Sequence, residues 1–371
     1  GTKDRDALIE NTLALKPIDL NDCELPRKFI EIFKEIEPLY MSGKYDKVLE
    51  KLDEIENEDD GLKFCLQAFC FYNLKNYKEA EIYYLRAIEK GIVDTLNFLA
   101  HLYLAQGKQT EAETYYLQAI EKGDVRAMNN LAIMYKSQGK QKKAETYYLQ
   151  AIAKGDVTAM FNLAYLYDEQ GKQTEAETYY LQAIEKGDVT AIYNLACLYI
   201  EQGKQKEAET YYLQAIEKGN VPALNNLAWL YYDLNIHPKH ALEYMTQVME
   251  EAQGESYLRN LLVIEIWNGR FEKIPEKIDR IIQNAKGEAL DGFLLELLNL
   301  SQIQLVLSLF ESEQYSKILR ERYELIFYAS LILAGRTEDN LLLRIPSEVL
   351  PTVEDIVAKV KEKQAFYAKK Q

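Results

Sequence analysis

Histidine and cysteine, the residues that most often serve catalysis and metal binding, are scarce in this chain of 371 residues. It contains three histidines and four cysteines, Cys23, Cys65, Cys70 and Cys197. The cysteines form no Cys-x-x-Cys pair and share no repeated spacing. A structural zinc site or a disulfide framework needs such spacing, so neither is expected. Reduced thiols are typical of the cytoplasm, and we predict a cytoplasmic protein.

Basic side chains are also few. The chain has 44 Lys and Arg against 59 Asp and Glu, a formal net charge of −15 and a pI near 4.9. Contacts with phosphate groups need clustered positive charge, so we expect no nucleic acid among the partners. The same charge disfavours an anionic membrane surface. The expected partner is another protein or peptide with a neutral or basic surface.

Long apolar runs are missing as well. The most apolar stretch, Phe293 to Phe310, is interrupted by four polar side chains. A membrane-spanning helix needs about 20 mostly apolar residues, so this stretch is predicted to be a buried helix. No signal peptide is visible, but the sequence begins with Gly1-Thr2 rather than Met, so residues upstream of Gly1 remain possible.

Catalytic motifs are absent from the sequence. It contains no P-loop, GxGxxG or HExxH pattern. His101 has no evident nucleophile or carboxylate arrangement around it, and His237 and His240 flank Pro238 in a predicted turn. Repeated glutamates such as Glu113 are interpreted as a solvated helix face. We therefore predict a protein that is not an enzyme, with no catalytic residues, no metal site and no cofactor.

What dominates the sequence is an internal repeat. The string AETYYLQAIEKGD, or a near copy, recurs every 32 residues, and a string of the type NLAxLY lies between the copies. The first string begins at Ala80, Ala112, Ala144, Ala176 and Ala208. A fixed period of this length is typical of stacked repeats and argues against a globular two-domain enzyme.

Each repeat unit has the spacing of two amphipathic helices. Apolar residues fall at relative positions 0, 3, 4 and 7 in the first half, from Met128 to Tyr135, and the second half has the same spacing. Gly139 is predicted to form the turn within the pair, and Gly123 with Asp124 to end one pair and cap the next helix. The sequence thus predicts an all-α chain of helical hairpins, which bury their apolar stripes only when they stack.

This pattern of small and large apolar residues resembles the tetratricopeptide repeat. The residues that carry the match are Leu163, Ala164, Tyr167, Gly171, Ala176, Tyr180 and Ala183. The connection AIEKGDVTAMFNLAYLY resembles the Sel1-like branch of that superfamily. The resemblance implies a right-handed solenoid, a tetratricopeptide-like superhelix, in which the first helices line a concave groove that binds a ligand.

Similarity between units falls towards both ends, which suggests four segments. We predict an N-terminal helix and linker at 1–27, divergent repeats at 28–91, tetratricopeptide or Sel1-like repeats at 92–254, and a divergent helical C-terminal region and cap at 255–371. A final helix is expected from roughly Thr352 to Lys369, after Pro351.

The copies differ mainly on one face of the first helices. Large aromatic side chains are among the variants, and in the tetratricopeptide family this face lines the groove. We interpret the variation as a groove with different requirements along its length; free drift of a helix face is the alternative. The candidate contact residues are Asn129, Phe161, Tyr193, Asn225, Tyr165, Trp229, Lys136, Asp168 and Tyr232.

A column of asparagines gives a second set of candidates. Asn130, Asn162, Asn194 and Asn226 recur every 32 residues. An amide both donates and accepts hydrogen bonds. By resemblance to superhelical tetratricopeptide proteins, this column could hold the backbone of an extended peptide, and local packing is the alternative.

These observations predict a scaffold or adaptor that binds a peptide or protein segment in the concave groove. One alternative is a sensor or regulatory arm of a larger signalling enzyme of the ATPase type, whose catalytic part would precede residue 1. Another is a homo-oligomeric scaffold that associates through its C-terminal region, with Leu290–Phe310 at the contact.

Overall fold

The computed structural model describes residues 35–54, 61–252, 257–284, 290–312, 315, 319, 323–336 and 349–368. Every regular element in these ranges is a helix, so the predicted all-α class is confirmed. Residues 35–41 are helical. The helix predicted within residues 1–27 lies outside the described ranges. The other helices are α1 (Tyr45–Asp53), α2 (Gly61–Asn73), α3 (Tyr77–Glu89), α4 (Thr95–Ala105), α5 (Gln109–Glu121), α6 (Val125–Ser137), α7 (Gln141–Ala153), α8 (Val157–Glu169), α9 (Gln173–Glu185), α10 (Val189–Glu201), α11 (Gln205–Glu217), α12 (Val221–Asp233), α13 (Pro238–Ala252), α14 (Leu258–Trp267), α15 (Ile274–Asn284), α16 (Asp291–Asn299), α17 (Ile303–Glu311), α18 (Glu324–Leu333) and α19 (Leu350–Ala368).

The chain forms two compact units, one up to Ala191 and one from Ile192 onward. The division falls inside the repeat array. The predicted segment boundaries at 91 and 254 rest on sequence likeness, and they stay predictions.

In the first unit, the helices pair as hairpins that stack in chain order. The pairs α2/α3, α4/α5, α6/α7 and α8/α9 pack together, and the second helices α3, α5 and α7 also pack on the first helices α4, α6 and α8 of the next pairs. This is the arrangement that the repeat predicted, because one hairpin alone leaves its apolar stripe uncovered.

Glycine and aspartate residues set the ends of these helices. Gly139 follows α6 with φ at +71°, and Gly123 follows α5 with φ at +93°, a conformation that other residues adopt at a cost. After the turn, the Lys140 amide donates to the Tyr135 carbonyl over 2.9 Å. The Asp124 carboxylate accepts the backbone N–H two residues ahead over 2.9 Å and so caps α6. The predicted turn and cap positions are confirmed.

The core of each hairpin alternates small and large side chains. In α7, Ala144 and Ala151 are 0% exposed and Tyr148 is 1% exposed, while α6 buries Leu131 and Ala132 completely. The alanines allow helices to approach closely, and the tyrosine ring fills the remaining space. Burial of each large apolar side chain stabilises the fold by about 1.5–3 kcal/mol.

The second unit continues with α11 to α13 and then departs from the hairpin pattern. Helix α13 packs on α14, α14 on α16, and α16 contacts α17, α18 and α19. The long helix α19 also packs on α18 and buries Val353, Val357 and Val360. Its bounds, Leu350–Ala368, confirm the final helix predicted near Thr352 to Lys369.

The apolar stretch from Leu290 to Phe310 differs from the prediction of a single helix. Helix α16 ends at Asn299 and α17 begins at Ile303; Ser301 between them has φ at +61°, which interrupts the right-handed helix. Leu297 and Phe310 are 0% exposed, so these side chains pack inside the second unit. Among the described helices, none has the length and apolar character needed to cross a membrane.

Candidate binding surface

Asn129 and Phe161 occupy equivalent positions on successive first helices, and both are buried. In the first unit, Asn129 is 4% and Phe161 6% exposed. The Phe161 ring lies 6.0 Å from the ring of Tyr180, centroid to centroid, on the second helix of the same hairpin. These two candidates therefore contribute mainly to packing, and little of their surface is available to a ligand.

The asparagine column joins consecutive repeats of the first unit. The amide nitrogen of Asn130 donates to Oδ1 of Asn97 over 3.0 Å, and that of Asn162 donates to Oδ1 of Asn129 over 2.9 Å. All four side chains are less than a tenth exposed. A buried amide without a partner is costly, so each bond stabilises the contact between successive first helices.

The second unit uses its asparagines in the same way. Asn226 donates to the hydroxyl of Tyr193 over 3.0 Å, and Asn225 accepts from the amide of Asn260, on α14, over 2.8 Å. Asn194 is half-buried on α10. A role of this column in holding a peptide stays a prediction; the observed bonds already give several of its members a structural role.

Three half-buried candidates come together at the ends of α6 and α8. Lys136 on α6 places Nζ 2.8 Å from Oε2 of Glu169 and 4.0 Å from the centroid of the Tyr165 ring, both on α8. Asp168 is half-buried beside them in the sequence. The Lys136 side chain is 17% and the Glu169 side chain 38% exposed, so the pair is only partly open to solvent. We call Lys136, Tyr165, Asp168 and Glu169 the Lys136 cluster; Glu169 is exposed, and the other three residues are half-buried.

A second charged group lies at the start of α6. The Arg126 side chain is 51% exposed. Its Nη2 lies 4.0 Å from an oxygen of Asp94, and its Nε lies 3.5 Å from an oxygen of Asp124. The first-helix face of the first unit therefore carries charge at both ends and buried amides between them.

The two aromatic candidates on α12 have different surroundings. Tyr232 is 0% exposed; its ring stacks on Tyr367 of α19 at 5.0 Å, and its hydroxyl donates to Glu296 over 2.6 Å. Burial and the nearby Glu296 carboxylate raise the pKa of Tyr232. Trp229 is half-buried and meets the Tyr232 ring edge to face at 5.2 Å. Because α19 covers Tyr232, this residue is not part of an exposed surface.

The histidines and cysteines show no arrangement for chemistry in the described ranges. His101 is half-buried, and desolvation lowers its pKa. Burial raises the pKa of the Cys65 and Cys70 thiols to about 12, which makes them poor nucleophiles at neutral pH. Within the described part of the chain, no three His, Cys, Asp or Glu side chains are placed to hold a metal ion.

Two protein-family models match the repeat region of the chain. A family model described as tetratricopeptide repeat matches residues 99–156 and 135–188, and a second model with the same description matches 189–217. Residues 99–217 thus match the tetratricopeptide-repeat family. Repeats of this family generally mediate protein–protein interaction.

Solved structures with tetratricopeptide-like folds resemble the chain at low identity. A Sel1 repeat protein from Oxalobacter formigenes is 20% identical, with 59% of this chain and 99% of that one covered at a TM-score of 0.45. The Pseudomonas aeruginosa protein pilF is 17% identical, with 52% and 92% covered at 0.43. The C-terminal part of a tetratricopeptide-repeat protein from Cytophaga hutchinsonii is 15% identical, with 67% and 99% covered at 0.44. Comparison with curated proteins gives no match.

A set of tyrosine hydrogen bonds between the tetratricopeptide repeats was missed from the sequence. In the first unit, the last tyrosine of a first helix donates to a glutamate 22 residues earlier, on the second helix of the preceding repeat, over 2.7–2.9 Å. The pairs are Tyr103 with Glu81, Tyr135 with Glu113, and Tyr167 with Glu145. Glu113 is thus a hydrogen-bond acceptor between repeats, and its interpretation as part of a purely solvated face was wrong. The invariance of both residues in every copy was the available signal.

Proposed function

We propose that this chain is a protein-interaction scaffold and that the Lys136 cluster on the first unit forms part of its binding surface. The observation that carries this proposal is the meeting of Lys136, Tyr165 and Glu169 across two neighbouring repeats. These side chains occupy the positions that vary between copies, whereas the second helices hardly change.

The chemistry of the cluster suits recognition of another protein. Tyrosine offers a large ring with few rotatable bonds and a polar end, and it is enriched where interfaces gain most of their free energy. A partner that places its own acidic or amide group near Lys136 can take over the contact now made by Glu169. The released carboxylate of Glu169, with Asp168, can then bind a basic group of the partner.

The partner is expected to have a neutral or basic contact surface. The chain carries a net charge of −15, which repels acidic proteins at long range and accelerates encounter with basic ones. We place the interaction in the cytoplasm, because Cys65, Cys70 and Cys197 are unpaired thiols.

Site-specific photo-crosslinking tests this proposal. A benzophenone amino acid at Tyr165 should give a discrete crosslinked partner in cells that express the full chain. The matched control is Gln150, an exposed residue on the second helix α7 of the same unit. Lys136→Glu should lower the yield of crosslinked partner from a benzophenone amino acid placed at Asp168, because it reverses a charge within the cluster.

The outcome that would contradict the proposal is a crosslinking pattern independent of position. If probes at Gln150 and Tyr165 capture the same proteins in equal yield, the first-helix face is not a specific surface. Far-UV circular dichroism of each variant would show that the fold is retained.

A further inference from the structure

A cavity of about 570 Å³ lies in the second unit, where the end of α12 meets α16 and α19. A volume of this size is typical of sites that hold a small ligand or an inserted side chain. Its walls include Leu295, Ile356, Val360 and Phe366, and the Phe366 side chain is 37% exposed. The cavity therefore presents apolar surface that the fold leaves open, apart from the surface proposed above.

Charged side chains of both signs line this cavity. They are Asp233, Glu362, Lys359 and Lys363. The Lys359 ammonium lies 2.7 Å from a carboxylate oxygen of Asp355, one turn earlier on α19 and outside the cavity lining. The Lys363 ammonium lies 5.9 Å from the centroid of the Phe366 ring.

A further carboxylate stands close to Asp233. Glu296 accepts hydrogen bonds from the Tyr232 hydroxyl over 2.6 Å and from the Asn299 amide over 3.3 Å, and Asn299 lines the cavity. Burial raises the pKa of Asp233, Lys363 opposes that shift, and Glu296 adds to it. The net shift is upward, so Lys363 alone does not offset the burial of the carboxylate and the repulsion from Glu296.

We propose that this cavity binds the side chain of a lysine or arginine presented by a partner protein. The aliphatic stem packs against Leu295, Val360 and Phe366, and the cationic end meets Asp233. The incoming cation competes with Lys363 for the face of the Phe366 ring. An anionic ligand would be repelled by the carboxylates of Asp233 and Glu296. An uncharged apolar ligand would remove water from the Asp233 carboxylate without supplying a counter-charge.

Binding of an alkylamine probe to the full chain tests this proposal. Dansylcadaverine carries an aliphatic primary amine, and its N-acetylated form is neutral but otherwise matched. Fluorescence titration should show saturable binding of the amine and weaker binding of the acetylated form. Asp233→Asn should weaken amine binding roughly 2–5-fold, and Lys363→Gln should strengthen it by a similar factor. Asp233 as a residue is exposed, although the cavity walls partly desolvate its carboxylate, so Asp233→Asn is expected to preserve the fold.

The matched control is Glu354→Gln, which removes a charge from α19 outside the cavity lining. It should leave binding unchanged. Equal affinity for the two probes, no saturable binding, or an equal effect of Glu354→Gln and Asp233→Asn would each overturn the proposal. A capped Gly-Gly-Lys-Gly-Gly peptide should compete with the amine, and its acetyl-lysine form should not. Failure of the lysine peptide to compete would exclude a protein side chain as the ligand.

Discussion

Two tyrosine hydroxyls on neighbouring helices of the first unit should respond in opposite ways to their removal. The Tyr135 hydroxyl donates to Glu113 over 2.7 Å, whereas the Tyr116 hydroxyl is buried and has no hydrogen-bond partner among the described residues. Substitution by phenylalanine removes only the oxygen and keeps the ring. A hydrogen bond to a charged group contributes about 1.5–3 kcal/mol when buried. Since Glu113 is half-exposed and water can solvate it, Tyr135→Phe should lower the free energy of unfolding by about 1 kcal/mol.

Tyr116→Phe removes a hydroxyl whose desolvation no described residue offsets. It should leave the free energy of unfolding unchanged or raise it by up to about 1 kcal/mol. Urea unfolding followed by far-UV circular dichroism measures both changes. Repeat arrays can unfold in steps, so hydrogen exchange of the α6 amides gives a local second measurement. A double-mutant cycle with Glu113→Gln isolates the Tyr135 bond. The reasoning is refuted if Tyr116→Phe destabilises as much as Tyr135→Phe.

Four other perturbations have defined outcomes. Asn162→Ala should cost about 1–3 kcal/mol of unfolding free energy in urea, because it leaves the buried oxygen of Asn129 without its donor; an unchanged midpoint would mean that the bond is unimportant. Gly139→Ala should cost about 1 kcal/mol from its φ of +71° alone, since no atom lies within 4 Å of the added carbon, and Gly139→Asn should cost less. Tyr180→Ala should cost roughly 3–5 kcal/mol, and thermal neutrality would refute its place in the core. Burial raises the pKa of four tyrosines on second helices, Tyr84, Tyr116, Tyr148 and Tyr212. In the folded chain these tyrosines therefore keep their protons above pH ~10, at which tyrosine in the unfolded chain ionises. Stability should therefore be full below that pH and fall above it, and tyrosinate absorbance should rise together with the loss of helix; complete ionisation before unfolding would contradict this.

Local features of the fold were predictable from the sequence. The period of 32 residues, the turn at Gly139 and the cap at Asp124 depend on residues close together in the chain, and the structure confirms them. The break at Ser301 was not predicted, because serine in a left-handed conformation gives no compositional signal as glycine does.

The candidate site was harder to predict because its surroundings come from distant residues. Asn162 reaches an oxygen 33 residues earlier, and the Tyr232 ring stacks on Tyr367 of the final helix. Spacing within one helix shows which residues share a face, but not what covers that face. The Lys136 cluster keeps part of the surface that the variation between copies suggested, and Tyr193, Asn225 and Trp229 are half-buried in the same way.

The affinity of a crosslinked partner for a Tyr165→Ala variant tests the central claim most directly. Calorimetric titration should show a loss of at least about 1 kcal/mol, or roughly 5-fold in affinity, with the helix content of the variant unchanged. Gln150→Ala, on the second helix α7, should bind as the unmodified chain does. Binding that survives Tyr165→Ala and falls with Gln150→Ala would contradict the account, because it would place recognition on the second helices.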